Sequence, residues 1–180
     1  MNRLVPSAVL AALLLAAPAS AQLSSNSDAP VEYAADTMEV FNTQCRWVLT
    51  GRAEMLQADA RLRAETIRMF RETKPGRGGG GADGGGCGDL SRAEAETNVF
   101  YVTPQRRVRG DSAVYDAVAE TIVVTGDVVA IEGENVLSGS RMTINLKTGE
   151  GNLTGGAKGL GQSNRPRGVF YPKARQGAAE

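Results

Sequence analysis

The side chains that could carry out chemistry in this chain are few, and their types exclude the common catalytic sites. The sequence has no histidine and only two cysteines, Cys45 and Cys87. Nucleophilic sites that use histidine as the base and metal sites with histidine ligands are therefore excluded, and two cysteines do not form a four-cysteine zinc site. We accordingly expect no metal ion and no cofactor.

Carboxylates are the remaining groups for acid–base chemistry. Asp36, Glu65, Asp111 and Asp127 are spread along the chain at outward positions of predicted strands, as solvated residues are. Two carboxylates can together hydrolyse a glycosidic bond, but nothing in the sequence singles out such a pair. The sequence therefore predicts a protein that is not an enzyme, and a carbohydrate-active enzyme stays an open alternative.

The N-terminus is typical of a secretory signal. Arg3 is followed by an apolar stretch over residues 4–17 and by Ala19-Ser20-Ala21, which resembles an A-x-A cleavage site. The stretch is too short to cross a bilayer comfortably. We predict a signal peptide at residues 1–21 and a mature chain that begins at Gln22 in the periplasm, with an uncleaved anchor as the alternative.

In such an oxidising compartment, an even number of cysteines suggests a disulfide. If the strands form an up-and-down meander, Cys45 and Cys87 fall in turns at the same edge of the sheet. We therefore predict a Cys45–Cys87 bond that stabilises the fold by about 4 kcal/mol in the chain-entropy model. Two unpaired cysteines remain the alternative.

The elements that position these residues follow from two repeated patterns. The first, apolar-x-small-polar-x-apolar-x-apolar, begins at Tyr33, Leu62, Val108 and Leu137, at intervals of 29, 46 and 29 residues. The second, usually containing Thr-Gly, begins at Leu49, Ala95, Val124 and Leu153, at intervals of 46, 29 and 29 residues. A fixed period of this size means that each repeat is a supersecondary unit that buries its apolar face against its neighbours.

Each series contains one interval that is 17 residues too long, so the second repeat carries a single insertion. We place it at residues 72–88, which hold nine glycines and should behave as a flexible coil. Its glycines are not followed by the Lys-Ser/Thr of a phosphate-binding loop, so nucleotide binding is not expected.

The repeats predict strands that have one buried side. In the segment from Trp47 to Met55, apolar residues alternate with polar ones, which is the period of a strand. In the first pattern an apolar step of three breaks this alternation, as a β-bulge at the same place in every copy would. A helix over Ala58–Phe70 is the competing interpretation, and we discount it because the other copies are rich in strand-forming residues. The predicted fold is all-β and built from stacked hairpins.

Composition and ends complete the outline. The chain has 20 basic and 20 acidic residues, so nucleic acid is not expected as a partner. We expect one domain at residues 22–160 and a basic C-terminal tail at 161–180, within which Val169-Phe170-Tyr171 could add a last strand. The open sheet would leave edge strands near Val31–Val40 and Leu153–Leu160.

Several stretches of the sequence resemble the OstA-like family of periplasmic lipopolysaccharide-transport proteins. They are ADTMEV from Ala35, LTGRAEMLQADARLRAE from Leu49, RGDSAVYD from Arg109 and VTGDVVAIEGENVLSGSRMTINLKTGEGNL from Val124. The resemblance implies a bent antiparallel β-jellyroll whose apolar interior holds the acyl chains of lipopolysaccharide. It also implies an inner-membrane Lpt clamp subunit and an outer-membrane Lpt translocon as partners, and head-to-tail assembly of copies or relatives.

The inward positions of the repeats are the candidate lipid-binding groove, and a Trp and a Tyr are candidates for its mouth. These residues are Trp47, Leu49, Met55, Leu62, Ile67, Tyr101, Ile122, Val124, Val128, Met142 and Ile144. The alternative is that they fill a closed core. Two further readings stay open, a non-enzymatic envelope β-solenoid and an inner-membrane clamp subunit of the same fold.

Overall fold

The computed structural model describes residues 23, 29–73, 86–156 and 165–172, and within these it is almost entirely β-structure. One 3-10 turn, Asn42–Gln44, is the exception. The ten strands are β1 Val31–Ala34, β2 Thr37–Phe41, β3 Arg46–Gln57, β4 Ala60–Thr73, β5 Cys87–Val102, β6 Arg107–Asp116, β7 Thr121–Glu132, β8 Asn135–Asn145, β9 Gly151–Thr154 and β10 Arg167–Val169. The predicted strand over the second repeat is confirmed by β4. The predicted signal peptide lies outside the described residues.

The strands form one antiparallel sheet with an up-and-down order. Strands β3 to β8 are neighbours in sequence and in space, and β1 and β10 lie at the two ends of this path. At each end of the sheet, two short strands pair with one long strand: β1 and β2 both pair with β3, and β9 and β10 both pair with β8. The sheet therefore ends in a broken strand on each side.

Every pairing of long strands breaks register at the same level. The breaks fall between Thr50 and Ala53, between Arg63 and Thr66, and at equivalent places in the next three pairings. Such breaks are β-bulges, and each one bends its strand. A break at one level in every copy is thus confirmed. In each pairing, however, the extra residue lies on the strand of the Thr-Gly pattern, β3, β5 or β7, and not in the first pattern, where the sequence analysis places it.

The breaks divide the sheet into two layers. The first layer consists of β1, β10 and residues 53–57, 60–64, 99–102, 107–110, 128–132 and 135–139. The second layer consists of β2, β9 and residues 46–50, 66–73, 87–96, 112–116, 121–125 and 141–145. Because each long strand crosses from one layer to the other, backbone joins the layers along the bend.

Glycines of the Thr-Gly motif lie at this bend. Gly51 and Gly126 have positive φ angles of 79° and 103°. A Cβ atom built on Gly126 would lie 2.4 Å from the side-chain carbon Cγ of Asp111 on the neighbouring strand, and Asp36 fills the same place beside Gly51. The motif thus pairs a glycine with an aspartate that precedes it in the chain and lies beside it in the sheet. These glycines therefore allow the close approach of neighbouring strands at the bend.

The second repeat departs from this pattern, as its sequence suggests. Thr97 and Asn98 stand at the bend and adopt φ angles of 66° and 54°. A β-branched residue rarely adopts a positive φ, so the backbone is strained at Thr97, where the other repeats have glycine.

Parts of the predicted insertion and tail belong to the sheet. Strand β4 continues to Thr73 and β5 begins at Cys87, while residues 74–85 lie outside the described residues. The Cys45–Cys87 disulfide is formed and joins the turn before β3 to the start of β5. Strand β10 lies in the segment that we predict as a basic tail, so the sheet extends past residue 160.

Candidate functional site

The predicted groove residues lie together between the two layers. Ten of the eleven are at most 3% exposed, and Trp47 is partly buried at the edge. A single sheet layer leaves one face open, so burial on this scale requires that the inner faces of the layers pack against each other. The side chains therefore line one shared interior, which we call the interlayer core.

The interlayer core also contains residues that the sequence analysis did not name. Rows of side chains run across the strands, and the row nearest the turns of the second layer is Trp47, Met69, Ala93, Tyr115, Ile122 and Ile144. Small residues on β5 and β6, among them Ala93, Ala95 and Ala113, are buried beside the larger ones. The alternation of β5 and β6 could have identified them, but their small size hides the apolar stripe.

The layers meet on two sides, and they are connected differently on each. Along the bend they are covalently continuous, whereas on the opposite side, which we call the open side, each layer ends in hairpin turns. There the guanidinium of Arg106, in the β5–β6 turn, donates to the backbone carbonyl of Gly149 in the β8–β9 turn. The same guanidinium pairs with Glu132 at 3.2 Å. In this region side-chain contacts hold the open side shut.

Leu23 adds a second closure. Its side chain is 1% exposed and belongs to the interlayer core. The side chain of Gln57, the one buried polar residue of the described part, accepts from the Leu23 amide and donates to the Ala29 carbonyl at 3.0 Å. The Tyr101 hydroxyl donates to the Leu23 carbonyl at 3.3 Å, so Tyr101 is a buried anchor for Leu23 and does not stand at an exposed mouth.

An aromatic stack covers the interlayer core at the N-terminal edge. Tyr33 of the first layer packs edge to face on Trp47 of the second, with ring centroids 5.4 Å apart. The guanidinium of Arg71 lies over the Trp47 ring, 5.2 Å from its centroid, and donates to the Gly88 carbonyl at 2.7 Å. The stack thus links the layers at the edge and lies next to the disulfide.

Two buried tyrosine hydroxyls differ in their hydrogen bonds. Burial raises the pKa of both Tyr101 and Tyr115 to about 12, and nearby carboxylates add to the effect at Tyr115. Tyr101 donates to Leu23, whereas the Tyr115 hydroxyl has no hydrogen-bond partner among the described residues. Tyr115 is therefore a protonated donor inside an apolar space.

Within the described residues, no group of three or more cysteine and carboxylate side chains is arranged to hold a metal ion. Helices long and apolar enough to cross a membrane are likewise absent from that part of the chain. The carboxylates Asp36 and Asp127 form ion pairs with Arg52 and Arg109 on the outer face. The distinctive feature of the molecule is therefore the interlayer core.

Comparisons with known proteins agree with this architecture. The chain is 29% identical to an uncharacterized protein of Rhizobium meliloti strain 1021 over 153 residues, which cover 80% of each protein. Its fold is similar to the crystal structure of LptH from Pseudomonas aeruginosa, described as the LptA-homologous periplasmic component of a lipopolysaccharide transport device. The TM-score is 0.65 and the identity 16%, over 82% of this chain and 99% of that one.

A family profile gives the most specific match. Residues 32–150 match the LptA/(LptD N-terminal domain) LPS transport protein family, a range that runs from β1 to the turn before β9 and includes strands β2 to β8. The resemblance seen in the sequence is thus confirmed, and so is the β-jellyroll it implied. The chain belongs to the LptA/(LptD N-terminal domain) LPS transport protein family.

Proposed function

We propose that this protein is a periplasmic carrier that moves lipopolysaccharide from the inner to the outer membrane, with the acyl chains held in the interlayer core. The observation that supports this most is the continuous apolar core between two layers that backbone joins on one side only. Each methylene group moved from water into such a space contributes about 0.8 kcal/mol. Apolar contacts of this kind discriminate little along a chain, so a lipid can slide through them.

The interlayer core is closed in this structure, and acyl chains therefore need the open side to separate. The closing contacts described for that side are those of Arg106 and Leu23, and neither is part of a strand ladder. Breaking them leaves the strand pairing of both layers intact. Separation at the open side about the bend is thus the opening with the least loss of backbone hydrogen bonds.

The two edges of the sheet offer surfaces for partners. Tyr33, Met38 and Val40 are 40–48% exposed on β1 and β2, and Val169 and Phe170 are 53% and 73% exposed at β10. Edge strands with free backbone groups and exposed apolar side chains pair readily with strands of other molecules. We propose head-to-tail contacts with copies of this chain, with the inner-membrane Lpt clamp subunit and with the outer-membrane Lpt translocon.

Photo-crosslinking in cells tests the carrier function. A photoreactive residue at Ile122, Val124 or Ile144, all at most 2% exposed, should capture lipopolysaccharide. The matched control is Val123, which follows Ile122 on the same strand and faces the other way. Equal capture at Val123 and its neighbours, or no capture at any position, would contradict the proposal.

The closed interlayer core favours a second candidate, an envelope β-protein that assembles through its edges without carrying lipid. Mass spectrometry of material that co-purifies with the mature protein separates the two functions. Lipopolysaccharide at a fixed ratio to protein supports the carrier, and protein free of lipid after gentle purification supports the structural role. An inner-membrane clamp subunit would instead remain in the membrane fraction, held by an uncleaved N-terminal anchor.

A further inference from the structure

A phenol inside the interlayer core has no hydrogen-bond partner. Tyr115 is 1% exposed, and its hydroxyl bonds to no described residue. Buried polar groups are nearly always paired, because an unpaired donor loses its bonds to water without replacement. A phenylalanine would fill the same space without this loss. The hydroxyl therefore destabilises the ligand-free protein.

The position of Tyr115 relates it to the open side. Strand β6 ends at Asp116, so Tyr115 is its last inward residue before the β6–β7 turn. It lies between Ala93 and Ile122 in the row of the second layer nearest the turns. A lipid whose chains occupy the core and whose head group stays in water must cross the rim at this level.

An acylated sugar would supply a hydrogen-bond acceptor for the Tyr115 hydroxyl at the rim of the second layer. Each chain is apolar except at its linkage to the head group, where an ester or amide carbonyl can accept a hydrogen bond. We propose that the Tyr115 hydroxyl binds the carbonyl oxygen of this acyl linkage. The interlayer core then favours chains that are joined to a polar head by an ester or amide over plain alkyl chains. This inference rests on the proposed function.

The environment of the phenol suits that role. Tyr115 is flanked by the small side chain of Ala93 on the neighbouring strand. Asp116 and Glu120 are close enough to raise its pKa further, so the hydroxyl keeps its proton at any physiological pH. The protonated hydroxyl has a proton to donate, and a carbonyl oxygen, which only accepts, is a suitable partner for it.

Two synthetic lipids test the proposal on the full mature protein. Both carry the same sugar and the same chain length, but one has an acyl ester and the other an alkyl ether in its place. Their dissociation constants are measured by calorimetry for the wild type and for Tyr115→Phe. We expect the ester to bind about fivefold more weakly to Tyr115→Phe, the size of one net hydrogen bond, and the ether to bind both proteins equally.

Comparing the two lipids in both proteins isolates the carbonyl–hydroxyl contact. Tyr171→Phe is the matched control, because Tyr171 is 56% exposed and should change neither constant. If the ratio of ester to ether binding is the same in wild type and Tyr115→Phe, the assignment of Tyr115 is wrong while the carrier function stands. If neither lipid binds the wild type, both proposals fail.

Discussion

Arg106 and Gly149 are 43 residues apart in sequence, and a hydrogen bond from the Arg106 guanidinium to the Gly149 carbonyl joins the two layers across the open side. Arg106 is also paired with Glu132, and its side chain is only 14% exposed. Hydrogen bonds of charged, partly buried groups stabilise by about 1.5–3 kcal/mol. The contact therefore holds the interlayer core closed without contributing to any strand pairing.

Arg106→Ala should loosen this side while leaving the sheet in place. We expect faster amide exchange in the turns at residues 103–106 and 145–150, and unchanged protection in the middle of β6 and β7. Hydrogen-exchange mass spectrometry measures both. Arg107→Ala is the matched control, since Arg107 is the exposed neighbour on β6. Equal exchange in the two variants would show that Arg106 does not hold the layers together.

The pairing of Gly126 with Asp111 at the bend makes a second prediction. Gly126→Ala places a Cβ within 2.5 Å of three Asp111 atoms and forces alanine to a φ of 103°. We expect a loss of roughly 3 kcal/mol in the free energy of unfolding. Gly133→Ala has a positive φ of 61° but no atom within 4 Å of the new Cβ. It should cost only about 1 kcal/mol in urea unfolding. Similar losses in both variants would contradict the steric role of Asp111.

Thr97 offers the opposite change. Because it holds a φ of 66°, replacing it with glycine removes strain. We expect Thr97→Gly to raise the free energy of unfolding by about 1 kcal/mol, after the entropy that glycine adds to the unfolded chain. Thr143→Gly, in the regular part of β8, should lower it by about 1 kcal/mol. A destabilised Thr97→Gly protein would show that the bend of the second repeat is not strained.

The local part of the fold could be predicted from the sequence. Alternation of apolar residues identified the inner faces, and the repeated step of three indicated a break in every copy, although it assigned the extra residue to the wrong strand of each pair. The departure at Thr97 was visible because the other repeats have glycine there. These features are encoded within one hairpin, so a local pattern is enough to reveal them.

The closure of the open side could not be predicted in this way. Arg106 meets Gly149, and Leu23 meets Gln57, only because the bend brings the two layers face to face. Alternation assigns a residue to a face but says nothing about which distant turn it meets. The unpaired hydroxyl of Tyr115 is likewise a property of its neighbours in space, so no spacing rule could have found it.

The disulfide predicts a large dependence of stability on redox conditions. Cys45 and Cys87 are 42 residues apart, and closing a loop of this size stabilises the fold by about 4 kcal/mol. Urea unfolding with and without reductant measures the difference. The Cys45→Ser/Cys87→Ser double variant should match the reduced protein and be insensitive to reductant. Two free thiols in the unreduced, denatured protein isolated from cells would show that the bond does not form there.

The two buried tyrosines predict alkaline unfolding. Their folded pKa of about 12 lies above the ordinary value of 10.0, so the unfolded chain releases these protons first as the pH rises. The contribution of these tyrosines to the free energy of unfolding is therefore fully present below pH 10. It is lost between pH 10 and pH 12, by at most about 3 kcal/mol for each tyrosine. Tyr115→Phe should halve this fall, because Tyr101 still titrates, and Tyr171→Phe should leave it unchanged. Urea unfolding at a series of pH values measures the slope, and tyrosinate absorbance follows ionisation. A fall of equal size in wild type and Tyr115→Phe would show that Tyr115 ionises without unfolding and lies closer to water than the interlayer core allows.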